Sequence, residues 1–267
     1  MNATVTAIPG VRVGHHTLPE ARTGVTVIDF PEPNVAAVEI RGAAPGSRET
    51  ALLAPGMRVE TIQSLVFAGG SAFGLAAADG VVDELAKAGR GHPTPAGPVP
   101  IVPSAIIFDL MNGDGAVRPG PADGAAAFLA ASSDPAPTGQ VGAGTGATVA
   151  NWRGPDASRP GGIGSAALRL GDAIVGVLVV LNAVGDVFTL EGEPLTGGPP
   201  IPSDDPGPSQ ARPMQNTTLV AVVTDARASR TDLLRLAVRA HDALGVTLRP
   251  AHTRYDGDAV FAISCGT

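Results

Sequence analysis

One cysteine in 267 residues, Cys265, excludes an intrachain disulfide. That thiol and the five scattered histidines have no metal-ligand spacing, so no metal is expected, and no cofactor. Aromatic residues are only 3%, so a core has to be assembled from Ala, Val, Leu and Ile. No apolar run approaches the ~20 residues needed to cross a bilayer; the run at 175–181 is far too short. The start, MNATVTAIPG, has neither a basic n-region nor an apolar h-region. The expectation is therefore a cytoplasmic protein without a membrane partner. A net charge of −7 argues against a nucleic-acid partner.

What is present is a chain with 44% apolar residues, enough for one sizeable core. The 35 Gly and 25 Pro cluster between apolar segments, the pattern of tight turns rather than disorder. Runs rich in apolar and β-branched residues predict strands at 24–30, 35–40, 101–108, 173–181, 218–223 and 259–264. Several are continuously apolar, as for strands covered on both faces. Helical spacing predicts helices at 74–88, 120–132 and 231–244. In the last, Leu233, Leu236, Ala240 and Leu244 share a face, and Ser229 or Thr231 is placed to cap it. Mixed strands and helices predict packed layers of sheet and helix. The stretch 191–213 holds seven prolines and no periodicity, and reads as a long loop or linker.

That loop ends three residues before Asn216-Thr217-Thr218, where the strand-like run begins. A threonine hydroxyl can attack the carbonyl of the residue before it. The peptide shifts from nitrogen to oxygen, and water cleaves the ester. The new chain starts with Thr, whose hydroxyl is a nucleophile and whose amine is a base. Two plainer readings of the triplet stand beside this one. It matches the N-glycosylation pattern, and it is also an ordinary polar junction between loop and strand.

The blocks AIPGVRVGHHT, ARTGVTVI, FAGGSAFGLAAADGV, VPIVPSAIIFDL, VGAGTGATVANWRG, VGVLVVLNAVGD, NTTLVAVVTDA and AHTRYDGDAVFAIS occur in this order. Together they resemble the DmpA-type self-processing aminopeptidases, whose relatives include β-aminopeptidases, a pantetheine hydrolase and nylon-oligomer hydrolases. The resemblance runs from about residue 8 to 266. It implies an α+β fold, a four-layer αββα sandwich of the DmpA and ornithine acetyltransferase type. It implies one domain, 1–267, that cuts itself between Asn216 and Thr217 into an α chain, 1–216, and a β chain, 217–267. Thr217 would be the nucleophile, by its register eight residues ahead of Asp225, and Thr218 a strand residue. A homotetramer of αβ units is also implied.

The resemblance gives Asn182, in VVLNAVGD, the role of oxyanion-hole donor. Such an amide contributes about 3 kcal/mol of transition-state stabilisation. By itself Asn182 reads as a cap at the end of a strand. Asp256 and Asp258, in YDGDAVF, match an acidic pair of the nylon-oligomer branch that would orient Thr217 or bind a substrate ammonium. By themselves they read as an Asp-Gly-Asp hairpin turn; two close carboxylates can also titrate as a pair.

The sequence departs from the family at Asn151, which stands where many members carry Lys. An Asn donates a hydrogen bond but brings no charge. Arg153, two residues on, is a candidate to compensate. The glycine blocks at 69–70 and 142–146 lack phosphate-loop spacing and read as tight turns. In the family they line the cleft, which makes Ser71 and Phe73 candidate substrate contacts. His241 reads as structural.

The expected activity is hydrolysis of small amine-bearing amides, N-terminal peptide bonds or aminohexanoate oligomers through an acyl ester on Thr217. Ornithine acetyltransferase-like acyl transfer is one alternative. An unprocessed, weakly active member, motivated by Asn151, is another.

Overall fold

A computed structural model of the chain describes residues 2–196 and 215–266. The loop expected at 191–213 lies outside the described residues from 197 onward. The strands are β1 (Arg12–Leu18), β2 (Thr23–Asp29), β3 (Val35–Ile40), β4 (Ser47–Arg48), β5 (Ser64–Ala68), β6 (Ser104–Ile106), β7 (Thr148–Val149), β8 (Arg159–Pro160), β9 (Gly162–Leu170), β10 (Ala173–Asn182), β11 (Asp186–Val187), β12 (Thr217–Thr224), β13 (Leu248–Arg249) and β14 (Ala259–Ser264). The helices are α1 (Ala77–Lys87), α2 (Pro121–Leu129) and α3 (Arg230–Thr247).

Two five-stranded mixed sheets dominate. One has the order β1-β2-β5-β6-β4 and the other β3-β14-β12-β10-β9. Period-two alternation assigns each strand's two faces. In β12, Leu219, Ala221 and Val223 face the other sheet, whereas Val220 and Val222 face α3. The inter-sheet core adds Ile28, Leu65 and Phe67 from one side and Leu178, Val180, Phe261 and Ile263 from the other. The Phe67 and Phe261 rings meet across it at 5.9 Å, a tilted contact of the kind aromatic pairs prefer. The outer face of the first sheet, Val25, Val27, Val66 and Ala68, is covered by α1 and α2. The outer face of the second is covered by α3 through Leu233 and Ala237. The layers run helix, sheet, sheet, helix, as expected.

Local sequence explains most of these elements. β2, β12 and β14 are buried along their whole length, matching their unbroken apolar or small-residue runs. Ser229 caps α3 by accepting from the Asp232 amide, and Asp232 returns the bond to the Ser229 amide, a capping box. At 101–108 only Ser104–Ile106 pairs as a strand. Pro100 and Pro103 have no N–H to give a ladder. The helix expected from 74 begins at Ala77, after a tighter 3-10 stretch, Ser71–Ala76. Strands β1, β5 and β9 have no counterpart in the periodicity.

One feature of the topology builds a site. β12 and β14 are adjacent and parallel, so their starts lie side by side. β10 is antiparallel to β12, so its end lies there too. Three separate segments thereby bring polar residues to one rim of the second sheet.

Candidate active site

The first residue of β12, Thr217, is paired in register with the last residue of β10, Asn182. Asn216 forms a parallel bridge with Asp256, at the approach to β14. Its N–H donates to the Tyr255 carbonyl at 3.1 Å, and its carbonyl accepts from the Gly257 N–H at 3.0 Å. Asp256-Gly257-Asp258 is therefore extended chain alongside the Asn216–Thr218 segment, not a hairpin turn. Gly257 is required there: a Cβ would lie 2.4 Å from the Ala44 carbonyl oxygen, far inside contact distance.

Asn182, Asn216, Thr217, Thr218, Asp256 and Asp258 are all at most 5% exposed, so each polar atom needs a partner. The Thr217 hydroxyl donates to the carbonyl oxygen of Asn216 at 2.5 Å. That same oxygen is the one held by Gly257. Asn182 Oδ1 accepts from the Thr148 N–H at 3.0 Å. Its Nδ2 reaches the Phe108 carbonyl at 3.4 Å, a long bond that leaves the second amide hydrogen for a ligand. Asp258 Oδ1 accepts from the Thr218 N–H at 2.6 Å, and its Oδ2 lies 2.7 Å from His252 Nδ1. Asp256 Oδ2 accepts from the Thr253 N–H and hydroxyl at 2.8 and 2.7 Å. Burial, and then the charge of Asp258, push the Asp256 carboxyl up to about 6.

The chemistry open to this cluster is acyl transfer. A hydroxyl lies against a carbonyl, a backbone N–H holds the oxygen of that carbonyl, and a side-chain amide stands opposite.

The other expected site residues do not bond to the Thr217 hydroxyl. Asn151 Nδ2 donates to the Ala183 carbonyl at 3.0 Å and to the Thr148 hydroxyl at 3.1 Å, and its Oδ1 accepts from Ser158. Its amide thus fastens the turn that presents Thr148 to Asn182. Arg153 does not stand in for the family lysine at Thr217: its Nε ion-pairs with the buried Asp186 at 2.7 Å, and its guanidinium stacks on Trp152. Ser71 is tied to the Ile107 carbonyl, next to the Phe108 that Asn182 reaches. Phe73 is 54% exposed under the Arg118 guanidinium. Both stand on the rim of the first sheet. His241 is structural, its Nε2 3.0 Å from the Glu39 carbonyl.

Three participants were not foreseen: the Gly257 amide, Thr148 and His252. Asp109, 2% exposed, accepts from the Gly70 N–H at 2.7 Å, and burial raises its pKa. A Cβ on Gly69 would fall 2.0 Å from Asp109 Oδ2. The glycine block therefore exists to let this carboxyl in, not to bind phosphate. The offset of His252 from Asp258 in AHTRYDGD was the available signal for His252. The others depend on backbone groups or on folding across sheets.

A model of peptidase family S58 matches residues 3–267. The chain belongs to this family. An uncharacterized aminopeptidase of Mycobacterium leprae is 42% identical over 292 residues, covering 98% of this chain and 78% of that protein. A 6-aminohexanoate-oligomer endohydrolase of Paenarthrobacter ureafaciens is 32% identical over 271 residues, covering 96% and 73%. Among solved structures, a Burkholderia sp. beta-aminopeptidase superposes with a TM-score of 0.78 at 25% identity, covering 100% of this chain and 74% of that one. The L-aminopeptidase D-Ala-esterase/amidase of Ochrobactrum anthropi, described as a new variant among the Ntn hydrolase fold, gives 0.73 at 22% identity, covering 99% and 74%. The chain is thus a member of a peptidase family and has this variant of the Ntn hydrolase fold. No helix among the described residues is long and apolar enough to cross a membrane.

Proposed function

We propose that Thr217 first cuts the chain before itself and then serves as the nucleophile of an amide hydrolase. In self-cleavage the Thr217 Oγ1 attacks the Asn216 carbonyl carbon. The C–N bond breaks, and the hydroxyl proton passes to the departing nitrogen. The Gly257 N–H is already on the oxygen where negative charge develops, the placement an oxyanion donor needs. Water then hydrolyses the Asn216 ester, giving a carboxylate on residue 216 and freeing the hydroxyl and α-amine of Thr217. The products are 1–216 and 217–267.

In turnover the new amine takes the hydroxyl proton and Oγ1 attacks the substrate carbonyl. Asn182 Nδ2 donates to the tetrahedral oxyanion. The leaving amine takes the proton, and water releases the acid from the ester. Asp256 and Asp258 orient the nucleophile, and their negative charge favours a substrate with a free ammonium group. That class includes a peptide N-terminus, a β-amino acid amide and an aminohexanoate oligomer. Asn151 supports Asn182 through Thr148, and Ser71 and Phe73 border the substrate. No cofactor enters.

The observation that carries this reading is the Thr217 hydroxyl on the Asn216 carbonyl while Gly257 holds the same oxygen. The test is the intact mass of the denatured protein. Two species are expected, the smaller beginning at Thr217 and the two summing to the full chain plus one water. Thr217→Ala should give one species and no hydrolysis. Hydrolysis retained in Thr217→Ala would refute the assignment.

A further inference from the structure

We propose that His252 is the cationic positioning residue of this site, holding Asp258 against the Thr218 amide and so fixing the peptide that carries Thr217. The inference rests on Thr217 being the nucleophile.

Asp258 is a bridge. Its Oδ1 takes the Thr218 N–H at 2.6 Å. Its Oδ2 takes the backbone N–H of His252 at 3.2 Å and faces the ring Nδ1 at 2.7 Å. The amide it grips belongs to the residue after Thr217, so the Thr217 Cα, hydroxyl and future amine are aligned through that peptide. His252 itself sits in the left-handed region, φ 54°, a conformation uncommon for residues other than glycine.

The two ends of the ring establish its charge. Nδ1 faces a carboxylate, and Nε2 lies 3.3 Å from the His241 carbonyl oxygen. A carbonyl only accepts, and so does an ionised carboxylate. A neutral imidazole has one N–H, so it can serve one of these partners; the imidazolium serves both.

This sequence needs such a cation. Its Lys87 side chain is largely exposed and paired with Glu84, and Asn151 stands where the family lysine would. Two buried carboxylates, Asp256 and Asp258, remain to be offset. The groups facing His252 are known from each side. Asp258 raises its pKa through the hydrogen bond and its charge, burial works against this, and Arg41, beyond β3, lowers it slightly. The His241 ring, from α3, meets it edge-on at 4.8 Å. Burial holds the pKa of His241 down, so that ring stays neutral. His252 therefore keeps its proton to a higher pH than a free histidine and loses it as pH rises further. Activity should fall on that alkaline side.

The experiment combines imidazole nitrogen NMR with a pH profile of the processed enzyme. In Thr217→Ala, ¹⁵N-labelled at histidine, both His252 nitrogens should be protonated at neutral pH. Adding Asp258→Asn should return that ring to a single N–H at the same pH. In processed enzyme, His252→Asn should lower kcat at least about tenfold with KM within about threefold, and abolish the alkaline fall. His252→Lys, a cation that does not titrate in this range, should recover much of kcat without that fall. A His252 ring with one N–H at neutral pH would overturn the inference, as would His252→Asn with wild-type kcat and an unchanged alkaline limb. If His252→Asn does not fold, the NMR measurement on the full chain decides alone. Failure of the Thr217 reading looks different: Thr217→Ala would keep its turnover, whatever the His252 spectrum shows.

Discussion

Acidifying the protein through the range where a free histidine charges should cost stability at His15. This residue lies on β1 opposite Thr26 of β2, with Nδ1 2.9 Å from the Thr26 hydroxyl. The Thr26 oxygen also receives the Ala143 N–H at 3.0 Å. Burial pushes the His15 pKa down to about 4. Unfolded, the same side chain titrates at about 6.5. Between these values the unfolded state binds the proton and the folded state does not. The stabilising contribution is therefore complete above about 6.5 and disappears as pH falls toward about 4. At about 1.4 kcal/mol per pH unit, the gap is worth at most about 3.5 kcal/mol. The loop against Thr26 continues to Thr148, whose amide holds Asn182. The assay is urea unfolding of Thr217→Ala, kept as one chain so that unfolding is unimolecular, from about pH 7 to about pH 4.5. His15→Asn on the same background supplies the comparison, having no titrating group at that position. The stability advantage of the His15 chain over the His15→Asn variant should shrink by about 2–3 kcal/mol across that range. A difference constant within about 0.5 kcal/mol would show that His15 is not held neutral by burial.

Replacing Asn182 by Ala should lower kcat by about 10²–10³ if its amide stabilises the oxyanion; steady-state kinetics on processed enzyme would show it. Asp256→Asn should remove an acid limb near 6 from the kcat/KM profile, since the raised carboxyl loses its charge as pH falls below that value. The same raised pKa makes Asp256 destabilising as pH rises from its ordinary range toward 6, so Asp256→Asn should gain on wild type in urea unfolding over that window. Arg230→Met should cost at least about 3 kcal/mol in the same assay. The buried guanidinium donates to the carbonyls of Ala36, Leu52, Ala54, Met57 and Val59, fastening α3 to the segment after β3.

The sequence by itself determined the elements whose environment is uniform. The segments 35–40 and 259–264 are strands at the predicted bounds, the second a buried, largely apolar run, the first a half-buried edge strand rich in Val and Ile. The helix at Arg230–Thr247 announced itself through one apolar stripe and a capping Ser229. Family motifs supplied the candidates Thr217, Asn182, Asp256 and Asp258, and the fold brings all four to one rim. Strand β9 was illegible because its outer face, with Leu168 and Leu170, is exposed, and its inner face includes the polar Ser165 and Arg169. Only the tertiary structure decided what each polar group touches. It took Arg153 to Asp186 and Asn151 to Ala183. It set His252 on Asp258 and the Gly257 amide on the Asn216 carbonyl. Periodicity reports burial averaged along a segment; a hydrogen bond depends on where one atom of a distant segment comes to rest, and that is fixed only when the sheets close on each other.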